Sequence, residues 1–210
     1  MKKQKLSLKT IVYKEVLDCI IRGEFKANQI LNEKELIDRF GYSKSPIREA
    51  LISLCNEGVL NNIPRYGYEV VRLTSKEVSQ ILEYRLILEG GLLRKGYSNI
   101  TDKQIEELRK LDELCQASVD DMWLHWEYNA NFHLALLKTC ENHYACDQLR
   151  KSLDILKRAY AQFYIDKWDG EYNPSDMKYH NNILECIKNR DIEGCIATLE
   201  LDLADFRSIS

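Results

Sequence analysis

The stretch Ser43-Lys44-Ser45-Pro46-Ile47-Arg48-Glu49-Ala50-Leu51 decides how the N-terminal third of the chain is read. Ser45 suits the N-cap of a helix and Pro46 its first helical position, where a missing N–H costs nothing because first-turn donors have no partner inside the helix. The helix opened there is expected to run to about Asn56 and to close at Gly58, with Lys44 and Arg48 on its exposed first turn. A helix N-terminus aims unpaired N–H groups and partial positive charge at phosphate, and arginine can grip guanine O6 and N7 in the major groove. Spacing alone leaves two readings open: contact with nucleic acid, or two ordinary solvated charges.

Working outward, Leu8, Ile11, Val12, Val16, Cys19 and Ile20 recur at helical spacing, which predicts a first helix from about residue 7 to Arg22, stopped by Gly23. Asn32 is placed to cap a short second helix, Glu33 to Phe40, with Glu35 as its capping-box partner and Gly41 as its end. Two β-capable runs, Val59 to Ile63 and Tyr68 to Leu73, flank Arg65-Tyr66-Gly67, which reads as a hairpin turn. Helix, helix, tight turn, helix and hairpin is the order of a winged helix-turn-helix.

The charge distribution changes where these patterns end. The 210 residues hold 30 Lys+Arg against 33 Asp+Glu, net -3, which taken whole argues against a basic nucleic-acid binder. Residues 1–74, however, hold 13 against 9, net +4, and residues 75–210 hold 17 against 24, net -7. The near-neutral total conceals a basic head and an acidic remainder. With 45% hydrophobic and 30% charged residues, 3 Pro and 9 Gly, the chain is neither disordered nor collagen-like. Lys14, Glu15 and Asp18 interrupt the first apolar run, so no export signal or membrane span is expected. The seven scattered cysteines lack a C-x-x-C pair and are expected to be reduced core thiols, which fits a cytoplasmic protein.

Beyond the boundary, Thr74-Ser75-Lys76-Glu77 and Thr101-Asp102-Lys103-Gln104 are capping boxes that open two helices. Further helices are expected over Met122 to Cys140, Tyr144 to about Asp166, Ser175 to Lys188 and Ile192 to Arg207. With no glycine-rich phosphate loop, G-x-S-x-G elbow or H-E-x-x-H, residues 75–210 read as an all-α antiparallel bundle. Bundle cores are where helical proteins build metal and ligand sites. Asn129 and His133, at i and i+4, share one helix face, while His180 lies on a later helix and Asp202 on the last. By spacing alone they are equally readable as satisfied structural polar groups.

Residues 8–73 resemble the DNA-binding domain of the GntR family of bacterial transcription regulators. The resemblance rests on S-K-S-P-I-R-E-A-L, on Leu54, Gly58, Val59 and Leu60, on R-Y-G-Y-E-V from Arg65, and on I-I-R-G-E-F, I-L-N-E-K-E-L and F-G-Y-S upstream. It implies DNA contact by Lys34, Lys44, Ser45 and Arg48, and by a wing tip of Arg65, Tyr66 and Gly67. Two positions commonly Arg are here Lys34 and Lys44, so base discrimination is expected to rest on Arg48. Ala27-Asn28 replaces the usual Pro-Gly after the first helix.

Residues 75–207 resemble the FCD effector domain of the FadR-type branch, through R-L-I-L-E (Arg85 to Glu89), N-A-N-F-H (Asn129 to His133) with Asn142 downstream, and H-N-N-I-L-E-C-I-K-N-R-D from His180. Many such domains hold a divalent metal with one Asp and three His. Here the implied ligands are Asn129, His133, His180 and Asp202, so one imidazole has become a carboxylate and the carboxylate an amide. The set shifts toward oxygen and suits Zn, Ni or Mn, unless the cavity has lost its metal. Arg85, Asn142 and Arg158 are the implied effector contacts; Arg85 either clamps a carboxylate or pairs with Glu89 at i+4. The expected protein is a mainly α, cytoplasmic, homodimeric transcription regulator, by default a repressor. It would bind a double-stranded operator with two-fold symmetry, under control of a small organic-acid effector. A metal-dependent enzyme using His133, His180 and Asp202, and an architectural DNA-binding protein, are the alternatives.

Overall fold

The structure is a computed structural model that describes residues 6–164 and 176–207. Its elements are α1 (Leu8–Ile21), β1 (Ile30–Leu31), α2 (Glu33–Phe40), α3 (Lys44–Asn56), β2 (Leu60–Ile63), β3 (Gly67–Val70), α4 (Ser75–Gly96), α5 (Asp102–Gln116), α6 (Met122–Lys138), α7 (His143–Tyr164), α8 (Asp176–Lys188) and α9 (Ile192–Arg207). They divide into two compact units. The first runs to Leu73 and takes in α7 from Arg158; the second runs from Thr74 to Lys157 and continues through α8 and α9.

In the first unit, α1 and α3 pack through Val12, Val16, Ile47, Ala50, Leu51 and Leu54, all fully buried. Leu36 from α2 and Leu60, Tyr68 and Val70 from the strands complete this core. Asn32 caps α2 by accepting from the Glu35 backbone N–H at 2.8 Å, and Gly41 ends it with φ +74°. Helix α3 starts two residues earlier than expected: its N-cap is Ser43, so Ser45 and Pro46 lie inside the first turn. The missing N–H of proline goes unnoticed anywhere in that turn, which is why the sequence cue does not locate the cap. Ser45 Oγ instead donates to Glu49 Oε1 at 2.8 Å, one turn on.

The hairpin of β2 and β3 becomes a three-stranded antiparallel sheet, order β1-β3-β2, because Ile30 and Leu31 pair with Glu69 and Tyr68. The turn before β3 places Arg65 at φ +73° and Tyr66, 73% exposed, at the wing tip. Gly67 has φ +135°, and a Cβ there would lie 2.4 Å from the Leu31 carbonyl oxygen. Gly67→Ala is therefore expected to cost at least about 1 kcal/mol, since strain and a backbone clash coincide. Chemical denaturation of the full chain checks this, and an unchanged midpoint contradicts it. Asn28 adopts φ +65°, a conformation asparagine tolerates better than most residues. Arg158 Nη1 donates to the Gly58 carbonyl at 2.9 Å, while Gln162 accepts from Leu73 N at 2.9 Å and donates to Val71 O at 2.8 Å.

In the second unit, α8 packs on α9, α5 on α6 and α8, and α4 on α9. Both capping boxes form, with Thr74 and Thr101 accepting from the Glu77 and Gln104 backbone N–H groups while those side chains accept from the threonine N–H. Helix α6 ends at Lys138, short of the expected Cys140, and α7 begins at His143. The expected end near Asp166 and start at Ser175 lie outside the described residues. All seven cysteines are free.

Candidate functional site

The first unit presents its cations from two helices and the wing. Packing fixes this: Ile47, Ala50, Leu51 and Leu54 turn one face of α3 to the core, which leaves Lys44, Ser45 and Arg48 on the opposite face. Lys34 is exposed on α2, and Arg65 and Tyr66 are exposed on the wing. Arg48 is not a lone cation. Its Nε donates to Glu33 Oε1 at 2.8 Å and its Nη2 to Glu33 Oε2 at 3.0 Å. The hydrogen bond from Arg48 holds the Glu33 carboxyl below its usual range. Sequence reasoning did not single out Glu33 as a partner; the two residues are 15 apart and only the fold joins them.

The second unit gathers its buried polar side chains from five helices. His133 on α6 is fully buried. Its Nδ1 lies 2.9 Å from Glu89 Oε2 on α4, and its Nε2 lies 3.1 Å from Asp202 Oδ2 on α9. His180 on α8 places Nδ1 3.2 Å from Asp112 Oδ1 on α5. Its ring stacks on Phe132, centroids 3.9 Å apart, and meets the His133 ring edge-on at 5.3 Å. The Asn129 amide nitrogen is 3.5 Å from His180 Nε2. Arg85 does pair with Glu89, Nε to Oε1 at 2.8 Å, but deep in the bundle rather than on a helix surface.

Electrostatics distinguish the two edges of His133. Burial opposes a charged imidazole, but the Glu89 carboxylate and hydrogen bonds to Asp202 and Glu89 outweigh it and raise the pKa to about 9. A neutral ring donating Nδ1–H to Glu89 would point its Nε2 lone pair at the Asp202 carboxylate, acceptor against acceptor. Only positive charge between them, a proton or a cation, relieves that. Among the described residues, Asp202 Oδ1 and Arg85 Nη2 are buried and without hydrogen-bond partners, and Asp202 is the partner that His133 Nε2 faces. One donor atom each from His133, His180 and Asp202 falls within 4.8 Å of the others. Each imidazole is thus held at Nδ1 by a carboxylate while Nε2 turns toward another potential ligand, Asp202 for His133 and Asn129 for His180, an arrangement that suits a metal site.

Residues 80–204, more than half the chain, match the FCD domain family, and residues 8–70 match bacterial regulatory proteins of the gntR family. The chain belongs to the GntR family. This GntR protein is a DNA-binding transcription regulator with an FCD effector-binding domain, and the enzyme and architectural readings are not favoured. It is 26% identical to the HTH-type transcriptional regulator YdhC of Bacillus subtilis over 185 residues, 87% of this chain and 81% of that one. The gluconate operon transcriptional repressor of Bacillus licheniformis is 37% identical over 101 residues, 48% of this chain and 41% of the repressor. The solved structure of Escherichia coli McbR/YncC shares the fold, with TM-score 0.76, 22% identity and 95% of each chain covered.

Of the expected site residues of this GntR regulator, Asn129, His133, His180 and Asp202 come together. Arg85 joins the same cluster through Glu89. Asn142 does not: it is exposed and caps α7, accepting from Ala145 N at 3.0 Å. Arg158 belongs to the DNA-binding unit, where it holds the Gly58 carbonyl. Glu89 and Asp112, which hold the two imidazoles, were not anticipated as site residues; no spacing rule ties α4 to α6 or α5 to α8. No helix among the described residues is long and apolar enough to cross a membrane.

Proposed function

We propose that this protein is a cytoplasmic, homodimeric GntR-family repressor whose helical domain holds a divalent cation and, against it, a small organic acid that alters operator binding. The observation that carries the reading is the buried 3.1 Å contact of His133 Nε2 with Asp202, which needs a proton or a cation between the two, together with Arg85 Nη2, which has no hydrogen-bond partner among the described residues. His133 Nε2, His180 Nε2 and an Asp202 oxygen would hold the cation. The Asn129 amide would offer its oxygen after a half-turn. Bound there, the cation would supply positive charge to a ligand carboxylate, and Arg85 would grip the same carboxylate by charge-assisted hydrogen bonds. Two nitrogen and two oxygen donors suit Zn, Ni or Mn, with the oxygens weakening preference for zinc.

Residues 1–74 form the proposed DNA-binding head and residues 75–210 the proposed sensor and dimerisation domain. In the head, Lys34, Lys44, Ser45 and Arg48, with Arg65, Tyr66 and Gly67 of the wing, face the operator. A net charge of +4 per head gives moderate phosphate attraction, which favours two heads on an operator with two-fold symmetry. The effector acts only through a difference in affinity between the DNA-competent arrangement and another. Repression is supported by the names of relatives such as the gluconate operon repressor.

Elemental analysis of purified protein tests the cation. About one equivalent of divalent metal per chain is expected, falling to background in the His133→Ala plus His180→Ala variant. Metal-free wild type, or metal retained in the double variant, overturns the reading. Release of operator DNA by one member of a panel of mono-, di- and hydroxycarboxylates tests the effector.

A further inference from the structure

Glu33, the first residue of α2, ties together three elements of the DNA-binding unit. Besides the two hydrogen bonds from Arg48 on α3, it accepts one from the Tyr68 hydroxyl on β3 at 3.4 Å, and Lys44 Nζ stands 3.9 Å away. Its side chain is 20% exposed, against 52% for Arg48, so the acid sits beneath the cation rather than beside it. Tyr68 is itself fixed by pairing with Leu31 and Asn62 on the flanking strands.

The guanidinium carries five N–H groups in one plane. Pairing with Glu33 uses Nε–H and one Nη2–H, the side-on edge. The remaining edge, Nη1–H with the second Nη2–H, is another parallel pair of donors, the kind that matches guanine O6 and N7. We propose that Glu33 is a positioning residue for base readout, holding Arg48 by its inner edge so that its outer edge meets guanine at a fixed angle. This rests on Arg48 being the base-reading residue. A long side chain ordered before binding loses less rotamer freedom on the DNA, and a fixed angle discriminates against bases that a swinging guanidinium would accommodate. The same carboxylate opposes phosphate, so it exchanges some non-specific attraction for selectivity.

The full-length wild type would select its operator from a random duplex library. Binding to that operator and to a scrambled duplex of equal length would then be compared over a salt series for wild type, Glu33→Gln and Arg48→Ala. Glu33→Gln turns one of the two acceptor oxygens into an NH2 donor, so Nε and Nη2 can no longer be held on separate oxygens. It is expected to lower the operator-to-scrambled affinity ratio by about tenfold or more, the scale of one bidentate base contact. Affinity for the scrambled duplex should hold or rise, and reselection with the variant should relax preference at a single guanine per half-site. The thermal midpoint is expected to stay near that of wild type because exposed ion pairs contribute little stability. A preserved ratio overturns the proposal, as does equal loss on both duplexes with a lowered midpoint, which would mark Glu33 as structural. Arg48→Ala that keeps operator selection overturns the reading of Arg48 itself, whatever Glu33→Gln does.

Discussion

Arg48→Ala is expected to abolish operator selection while leaving the protein folded and still weakly attracted to DNA. The argument is one of burial against function. Arg48 packs nothing into the core, and its pair with Glu33 is exposed to water, so truncation removes an interaction of little weight to the fold. On the proposed reading Arg48 is the base-reading arginine of α3, while Lys34 on α2 and Lys44 on α3 would supply charge without a planar fork. A lost bidentate contact costs about tenfold or more per head, and in the proposed homodimer two heads would multiply the loss. The proposed phosphate contacts of Lys34 and Lys44 are untouched by the substitution, so residual binding should remain, steeply salt-dependent and indifferent to sequence. Gel-shift competition between operator and scrambled duplex reads this directly; sequence-specific shifts by Arg48→Ala contradict it.

Glu89→Ala is expected to have the largest effect on stability. Glu89 is 1% exposed and takes Arg85 Nε on one oxygen and His133 Nδ1 on the other. Burial raises its pKa, but the Arg85 charge, then His133, outweigh this, and the net effect is to hold the carboxyl below its usual range. It is therefore charged at neutral pH, and the stability it contributes is lost only as the pH falls through that lowered value. Removing it takes from the buried Arg85 guanidinium the carboxylate that it pairs with. Breaking a buried pair in this way costs about 3–5 kcal/mol. For a chain of this size that is a fall on the order of 10 °C in the unfolding midpoint. Differential scanning calorimetry measures it, and a fall smaller than about 2 °C would mean that water or a rearranged partner satisfies Arg85.

What could be read from the chain divides along the range of the interactions involved. Helix α2 was legible to the residue because its signals are local: Asn32 reaches three residues forward and Gly41 supplies the left-handed stop. The start of α3 was misread by two residues because proline is silent throughout a first turn. Strand β1 was invisible: two residues have no periodicity, and they are strand only because Glu69 and Tyr68 lie alongside. In the bundle, Asn129 and His133 could be paired by helical spacing, whereas His180 and Asp202 were joined to them through the family resemblance. Glu89 and Asp112, which hold the two rings, depend on how α4, α5, α6 and α8 pack. Asn142 illustrates the converse, since an asparagine three residues ahead of Ala145 is a helix cap on local grounds alone.

The hydrogen bonds made by Arg158 and Gln162 bear on how such regulators are recombined. A head taken as the first 74 residues omits the side chains that hold the Gly58 carbonyl and bracket Val71 and Leu73. The DNA-binding unit is discontinuous in the gene, closed by a stretch of α7 encoded some ninety codons downstream of its last strand. A head graft onto another sensor by a single crossover would leave these backbone groups to a foreign helix. Exchange of specificity between relatives is thus simplest by substitution on the α3 face, and hardest by shuffling whole domains.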